Sequence, residues 1–321
     1  MIFTFYQIIR TARPRQWLKN VSLFAAPLFA GALLNPDTLA LSFKALVVFC
    51  GVSSAGYFIN DLVDAPKDRI HPVKKNRPIA SGKLSTKTAL AIIIILIATL
   101  LIYSLYFIGS YFTVVVISYI IIQIVYSFYL RDVIILDAMV VASLFILRVF
   151  AGGLAAEVSV SSWLILTTIG LSLLLAFGKR RSEKTILLKY DITSTQNETR
   201  KTLKHYPDSL LDSMISMSSA FCIITYALFT FQISPDGFYN PALSSILPSI
   251  LRTPKLMMLT IPFVIYGVAR YLYVIYEKKE GESPERVLLS DKALLAAVIA
   301  WSIVTFVIIY IMPNLGTLAL S

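Results

Sequence analysis

Cysteine and histidine are nearly missing from this chain, with two of each in 321 residues. Cys50 and Cys222 both fall inside long apolar runs, which excludes a disulfide framework and leaves them as small apolar fillers. His71 and His205 are too few and too far apart in sequence to suggest a histidine-based metal centre. Charge is scarce too: Asp, Glu, Lys and Arg make up 15% of the residues, against roughly 25% in soluble domains. A large soluble core is therefore the wrong architecture. No pair of Gly/Pro-split apolar segments stands at corresponding places in two halves, which weighs against an inverted-repeat transporter. No nucleic-acid module surrounds the basic residues, so the formal net charge of +11 points to anionic lipids and phosphorylated substrates instead. A cleaved signal peptide is not expected, because the first cations follow the first apolar stretch and Pro14 interrupts what comes next.

What is abundant is apolar: hydrophobic residues account for 57% of the chain. Read against the ~20 residues that cross a bilayer, the long runs predict about nine spans. They lie near 21–36, 39–60, 88–108, 111–129, 133–154, 161–178, 209–232, 256–276 and 291–312. The fold expected is an all-α polytopic membrane protein. Cations crowd one set of connections, 10–19, 67–87, Arg131, 179–204 and 278–292, whereas the opposite set holds only Arg252 and Lys255. The positive-inside rule then puts the N-terminus and the basic loops in the cytoplasm. Residues 1–20 form a cytoplasmic or interfacial segment, in which Phe3, Phe5 and Ile9 oppose Arg10 and Arg13 on a short amphipathic helix. The glycosylation sequon Asn197-Glu198-Thr199 falls on the cytoplasmic side and is read as coincidence.

The most informative stretch is Asn60-Asp61-Leu62-Val63-Asp64-Ala65-Pro66-Lys67-Asp68, at the end of the second run. Aspartates at i, i+3 and i+7 share one helix face, and Asn60 adds a carbonyl oxygen beside them. Hard oxygen donors so placed suit a divalent cation, most usefully Mg2+ carrying a diphosphate. A solvated mixed-charge loop is the bland alternative. Pro66 is expected to interrupt the helix, so that Asp68 would reach the metal from an unwound turn or through water. Lys74 and Arg77 follow within a few residues, in His71-Pro72-Val73-Lys74-Lys75-Asn76-Arg77-Pro78.

Three other cytoplasmic connections carry polar residues. Tyr126 and Arg131 come after the fourth run, Asp137 opens the fifth, and Arg148 lies inside it. A cation in a span is costly unless a carboxylate, a phosphate or a water cavity meets it. Asp137 is too far along the helix for direct contact, so the two residues line one polar cavity or belong to a structural ion pair. After the sixth run come Lys179, Arg180 and Arg181, dense enough to neutralise a phosphate, although helix ends and cytoplasmic loops collect cations for other reasons. Gly281-Glu282-Ser283-Pro284-Glu285-Arg286 reads as a surface turn.

Asn60-Asp61-x-x-Asp64-x-x-x-Asp68 with its trailing Arg-Pro pair resembles the first aspartate motif of the UbiA superfamily of intramembrane prenyltransferases. The resemblance extends from Arg13-Pro14-Arg15-Gln16-Trp17-Leu18-Lys19-Asn20 to the last spans. It implies a single transmembrane domain over residues 1–321, a nine-helix arrangement, and an active site open to the cytoplasm in a cell membrane. Aromatic prenyltransferases of the superfamily carry a second Asp-rich motif after span six, where this chain has Lys179-Arg180-Arg181-Ser182-Glu183-Lys184 and only Asp191 further on. That departure resembles the branch containing decaprenyl-phosphate phosphoribosyltransferase. It implies Mg2+-dependent transfer of 5-phosphoribose from phosphoribosyl diphosphate to a polyprenyl phosphate. Asn60, Asp61, Asp64 and Asp68 would then surround Mg2+, with Lys19, Lys74 and Arg77 on the donor phosphates. Tyr126, Arg131, Asp137 and Arg148 would line the other wall, Asp137 toward ribose hydroxyls, and Lys179, Arg180 and Arg181 would hold the lipid phosphate. The alternatives are an aromatic prenyltransferase using a polyprenyl diphosphate, and a channel or transporter, which would explain Arg148 and Arg270 but leave the aspartates without a purpose.

Overall fold

A computed structural model describes residues 2–70, 74–189, 206–233, 255–278 and 284–313. His71, Asp191, the sequon at 197–199, His205, Arg252 and residues 281–283 of the expected turn lie outside them. All regular elements among the described residues are helical. The chain divides into two compact units, residues 1–160 with 183–212, and residues 161–182 with 213–321.

In the first unit, α1 (Ile2–Ala12) leads into an 11-residue 3-10 segment, Pro14–Phe24, and the short α2 (Ala25–Phe29). Then come α3 (Pro36–Ile70), α4 (Thr86–Phe107), α5 (Ser110–Phe128) and α6 (Leu136–Ala155). The second unit contains the first part of α7 (Ser162–Lys189), then α8 (Asp208–Gln232) from residue 213 onward, α9 (Ile261–Tyr273), α10 (Pro284–Ser290) and α11 (Lys292–Phe306). Among the described residues, eight helices are long and apolar enough to cross a membrane. Large apolar side chains such as Ile94, Ile95, Ile102 and Leu105 stay exposed along α4. In a lipid-facing helix that exposure needs no compensation.

The expected span at 21–36 is not among these eight, because it does not form one long α-helix. Its place is taken by the 3-10 segment and α2. At about 2.0 Å per residue for a 3-10 helix and 1.5 Å for an α-helix, 16 residues can still extend on the order of 30 Å, a hydrocarbon thickness. Runs of 3-10 helix this long are uncommon. This one is slim and descends between α3 and α6. A Cβ on Gly152 of α6 would lie 1.8 Å from the Leu23 carbonyl oxygen, so glycine there is a condition of the packing. Leu23, Phe49, Val52, Phe112, Val116, Tyr119 and Ala151 close the core around it, with Phe49 edge-on to Tyr119 at 5.3 Å. A second apolar cluster, Phe58, Ala65, Ile79, Leu84, Ala89 and Ile93, seats the far end of α3 against α4. Ser85 caps α4 by accepting the Thr88 amide at 3.1 Å.

Candidate active site

At ~1.5 Å per residue, α3 runs on the order of 50 Å, well beyond the ~30 Å hydrocarbon core. Its last turns carry the aspartates. The helix does not break at Pro66 but continues to Ile70, which corrects the expected interruption. Proline removes only one helical hydrogen bond, and the turn beyond it is tied down by burial of Ala65 and Asp68 and by an ion pair from Asp68. Asp61, Asp64 and Asp68 therefore remain in a single helical register.

Each aspartate meets an arginine from a different segment. Arg13 Nη2 donates to Asp61 Oδ1 at 2.6 Å. Arg77 Nη1 lies 2.6 Å from Asp68 Oδ2 and 3.3 Å from Asp61 Oδ1. Arg131, in the turn Leu130–Asp132 after α5, sits 2.6 Å from Asp64 Oδ1. Asn60 accepts a hydrogen bond from Ser127 of α5. Asp61 is 2% exposed, so removing its guanidinium partners would strand a buried charge, a cost of several kcal/mol.

The donor set suits a hard divalent cation: oxygen ligands only, on one helix face. One nitrogen of Arg77 already touches both Asp61 and Asp68, so their carboxylates converge on a single cationic point. Among the described residues no three His, Cys, Asp or Glu side chains are gathered to metal-holding distance; each aspartate is turned to a guanidinium instead. Asp61, Asp64, Asp68 and Asn60 are the residues that would hold such an ion.

Arg148 is elsewhere. Its Nε donates to Asn20 Oδ1 at 2.8 Å, Nη2 to the Tyr119 hydroxyl at 2.8 Å and Nη1 to the Leu144 carbonyl at 3.0 Å. The rings of Tyr119 and Phe145 each lie 5.1 Å from its guanidinium carbon. Asn20 also contacts Cys50 and Ser53, which places this knot about 12 Å or more along α3 from Asp61. Neutral dipoles and aromatic faces, rather than the expected anion, surround the cation. Asp137 is likewise occupied: its Oδ1 accepts the Tyr206 hydroxyl at 2.5 Å, and that hydroxyl accepts the Ile135 amide at 2.6 Å. Ile135 has φ 69°, a strained value for a β-branched residue, and Tyr206 braces it. Lys184 holds the Tyr206 carbonyl at 2.6 Å and Asp208 at 2.9 Å.

Lys19 lies on the 3-10 segment, Lys74 in the turn before Arg77, and Tyr126 next to Ser127; all three are half-buried. Lys179, Arg180 and Arg181 belong to the second unit, where Arg180 is buried and Arg181 stacks 5.9 Å over the Tyr276 ring. In the same unit Arg270, expected as an intramembrane cation, makes a forked pair with Asp291 at 3.0 and 3.1 Å. Asp291 also caps α11 through the Leu294 amide.

Residues 21–289 match the UbiA prenyltransferase family. This chain belongs to that family. It is 35% identical over 311 residues to the decaprenyl-phosphate phosphoribosyltransferase of Corynebacterium glutamicum, covering 95% of this chain and 87% of that protein. To the protein of the same name from Mycobacterium tuberculosis it is 30% identical over 298 residues, 92% and 91% of the two chains. A UbiA homolog from Archaeoglobus fulgidus bound to GPP and Mg2+ superposes with a TM-score of 0.66 at 19% identity, over 94% of this chain and 99% of that one. That likeness carries the fold. The chain is thus a multi-pass membrane transferase of the UbiA type, and the aspartate–arginine cluster on α3 is its candidate active site.

Within this UbiA-type site, the sequence pattern pointed to the aspartates, Arg77 and Arg131, which the fold brings together. Arg13, Asn20, Tyr119, Ser127 and Tyr206 were not singled out as site residues. Arg13 had one signal, its place in Arg13-Pro14-Arg15 ahead of the first apolar run. Tyr119 and Ser127 had none, since each sits among apolar neighbours in α5.

Proposed function

We propose that this transferase moves 5-phosphoribose from phosphoribosyl diphosphate to a polyprenyl phosphate of the decaprenyl type, releasing diphosphate, at the cytoplasmic face of the cell membrane and with Mg2+. The observation that carries the reading is the contrast between two stretches of the chain. Three aspartates and three arginines meet at the end of α3, while the stretch after the sixth apolar run is Lys179-Arg180-Arg181. One acidic centre serves one diphosphate, and a basic stretch suits an acceptor that is itself a phosphate. The names and extent of the relatives above support the same choice.

The chemistry asks little of the protein beyond charge and position. The C1–O bond to diphosphate breaks, positive charge grows on the ribose ring, and an acceptor phosphate oxygen bonds to C1. Because the second pKa of a phosphate monoester is ~6, the acceptor arrives ionised and no side chain has to remove a proton. Asp61, Asp64, Asp68 and Asn60 would hold a divalent ion, which would supply charge neutralisation for the leaving diphosphate. Arg77, Arg131, Lys74 and Lys19 hold donor phosphates, and Lys179, Arg180 and Arg181 are assigned the acceptor phosphate on residue type. Tyr126 lines the donor side. Asp137 is tied to Tyr206 at the start of α6 and Arg148 to Asn20 of the 3-10 segment, and both are given structural roles.

The test is direct. Purified protein given ribose-labelled phosphoribosyl diphosphate and a polyprenyl phosphate should move label into an organic-extractable lipid, with one diphosphate released per label transferred. Consumption of a prenyl diphosphate with alkylation of an aromatic acid, and no label in lipid, would establish the aromatic prenyltransferase instead.

A further inference from the structure

Arg13 lies outside the set of site residues the sequence suggested, yet the backbone is bent to deliver it. It adopts φ 54° and ψ 63°, a left-handed conformation that costs a non-glycine residue about 1–2 kcal/mol. Contacts on both sides hold that geometry. Ser54 accepts from Trp17 Nε1 at 3.0 Å and shares its one hydrogen between the Cys50 carbonyl at 2.7 Å and the Ala12 carbonyl at 3.2 Å, so one hydroxyl of α3 meets the chain on both sides of the bend. The bend sends the guanidinium over the Tyr57 ring, 5.1 Å from its centroid, and onto the carboxylate of Asp61.

Two further facts distinguish Arg13 from its neighbours. Asp61 is paired twice, by Arg13 at 2.6 Å and Arg77 at 3.3 Å, whereas Asp68 and Asp64 each show one arginine. And Arg13 is 33% exposed where Asp61 is 2% exposed, so it reaches the carboxylate from the accessible side and covers it. The cluster is neutral as it stands, three carboxylates against three guanidinia. A divalent cation alone would leave it with excess positive charge, and the cation most easily given up by the aspartates is the redundant one.

We propose that Arg13 is a mobile counter-cation of the active site: it occupies Asp61 until the divalent ion arrives, then turns its forked donors to the diphosphate of the incoming donor. The inference rests on the reading of Asp61, Asp64 and Asp68 as the holders of a divalent cation and a diphosphate. It gives Arg13 opposite effects on two ligands. Toward the metal alone it is a competitor; toward a diphosphate it is a partner through charge-assisted, two-point hydrogen bonds.

The experiment uses the full-length protein in detergent, with Mn2+ alone and with inorganic diphosphate in the presence of Mg2+ as probes. Electron paramagnetic resonance reports free Mn2+, and calorimetry reports diphosphate. For Arg13→Gln, Mn2+ affinity without diphosphate should rise severalfold while diphosphate affinity falls about tenfold or more. Arg13→Lys, which keeps the charge but loses the fork, should bind Mn2+ like the wild type and diphosphate severalfold more weakly. A folded Arg13→Gln protein whose Mn2+ affinity is unchanged or lower overturns the exchange. If that variant yields no folded protein, wild-type diphosphate affinity in Arg13→Lys overturns it. These probes contain no ribose or lipid. Opposite shifts of the two affinities without label transfer to lipid would leave this inference standing and remove the phosphoribosyl reading; label transfer without them would do the reverse.

Discussion

Two polar groups lie along α3, one at Asp61–Asp68 and one around Cys50 and Ser53, and they hold arginine in contrasting ways. At the first, Arg13, Arg77 and Arg131 are 33%, 26% and 21% exposed and meet carboxylates. At the second, Arg148 is 5% exposed and meets Asn20, Tyr119, a carbonyl and two aromatic faces. The first group has formal charges on both sides and access to one of them, which is what the proposed exchange of partners for a metal and a phosphate requires. The second has one charge dissolved in fixed dipoles, with every partner supplied by packed helices. A buried guanidinium is therefore no signal of substrate by itself. What matters is whether its partners can be replaced without stranding a charge.

The largest expected effect breaks the first group. Asp64→Asn should lower transfer by a factor on the order of a thousand, since charge stabilisation at a transferring phosphate is worth several kcal/mol. The melting temperature should hardly move, and chelation should reproduce the loss. Near-normal turnover of Asp64→Asn at low Mg2+ would remove the aspartates from the chemistry. The second group should fail in the opposite sense. Asn20→Leu takes an acceptor from a buried cation and should cost about 1.5–3 kcal/mol of stability, read as a lower melting temperature with turnover per folded molecule retained. Arg148→Leu, which removes the cation along with its demand for partners, should destabilise less than Asn20→Leu; loss of turnover in a fully stable Arg148→Leu protein would instead place Arg148 on substrate.

A smaller effect tests the other unit. Replacing Lys179 and Arg181 together by Ala should raise the apparent KM for polyprenyl phosphate about tenfold, with the KM for phosphoribosyl diphosphate little changed. Equal shifts for both substrates would show that the basic stretch does not discriminate between them. The smallest lies between the two groups: Trp17→Phe removes one hydrogen bond to Ser54 and should cost about 1 kcal/mol, seen in thermal unfolding. A loss of donor affinity in addition would mean that Ser54 positions Arg13, as the bend at that residue suggests.

Composition and run length made the membrane class legible, because a span must be apolar for about 20 residues whatever it packs against. The aspartate spacing made the candidate site legible as a cluster, because i, i+3 and i+7 share a face on any helix. Continuity through Pro66 was not legible, since the neighbours that hold the end of α3, Arg77 and the apolar Ile79, Leu84, Ala89 and Ile93, come from later in the chain. Nor was the 3-10 form of residues 14–24. That rests on a gap between α3 and α6 that exists only with Gly152 against Leu23.

What the sequence determined by itself was which residues are able to carry charge chemistry and that they lie at the end of a long apolar helix. Tertiary structure decided which of those charges face one another. It paired Arg13 with Asp61 across 48 positions and gave Arg148 an asparagine 128 positions away instead of an acid. The reason is range: helical periodicity and hydropathy act over a few turns, while the partner of a buried charge is set by whichever helix packs beside it.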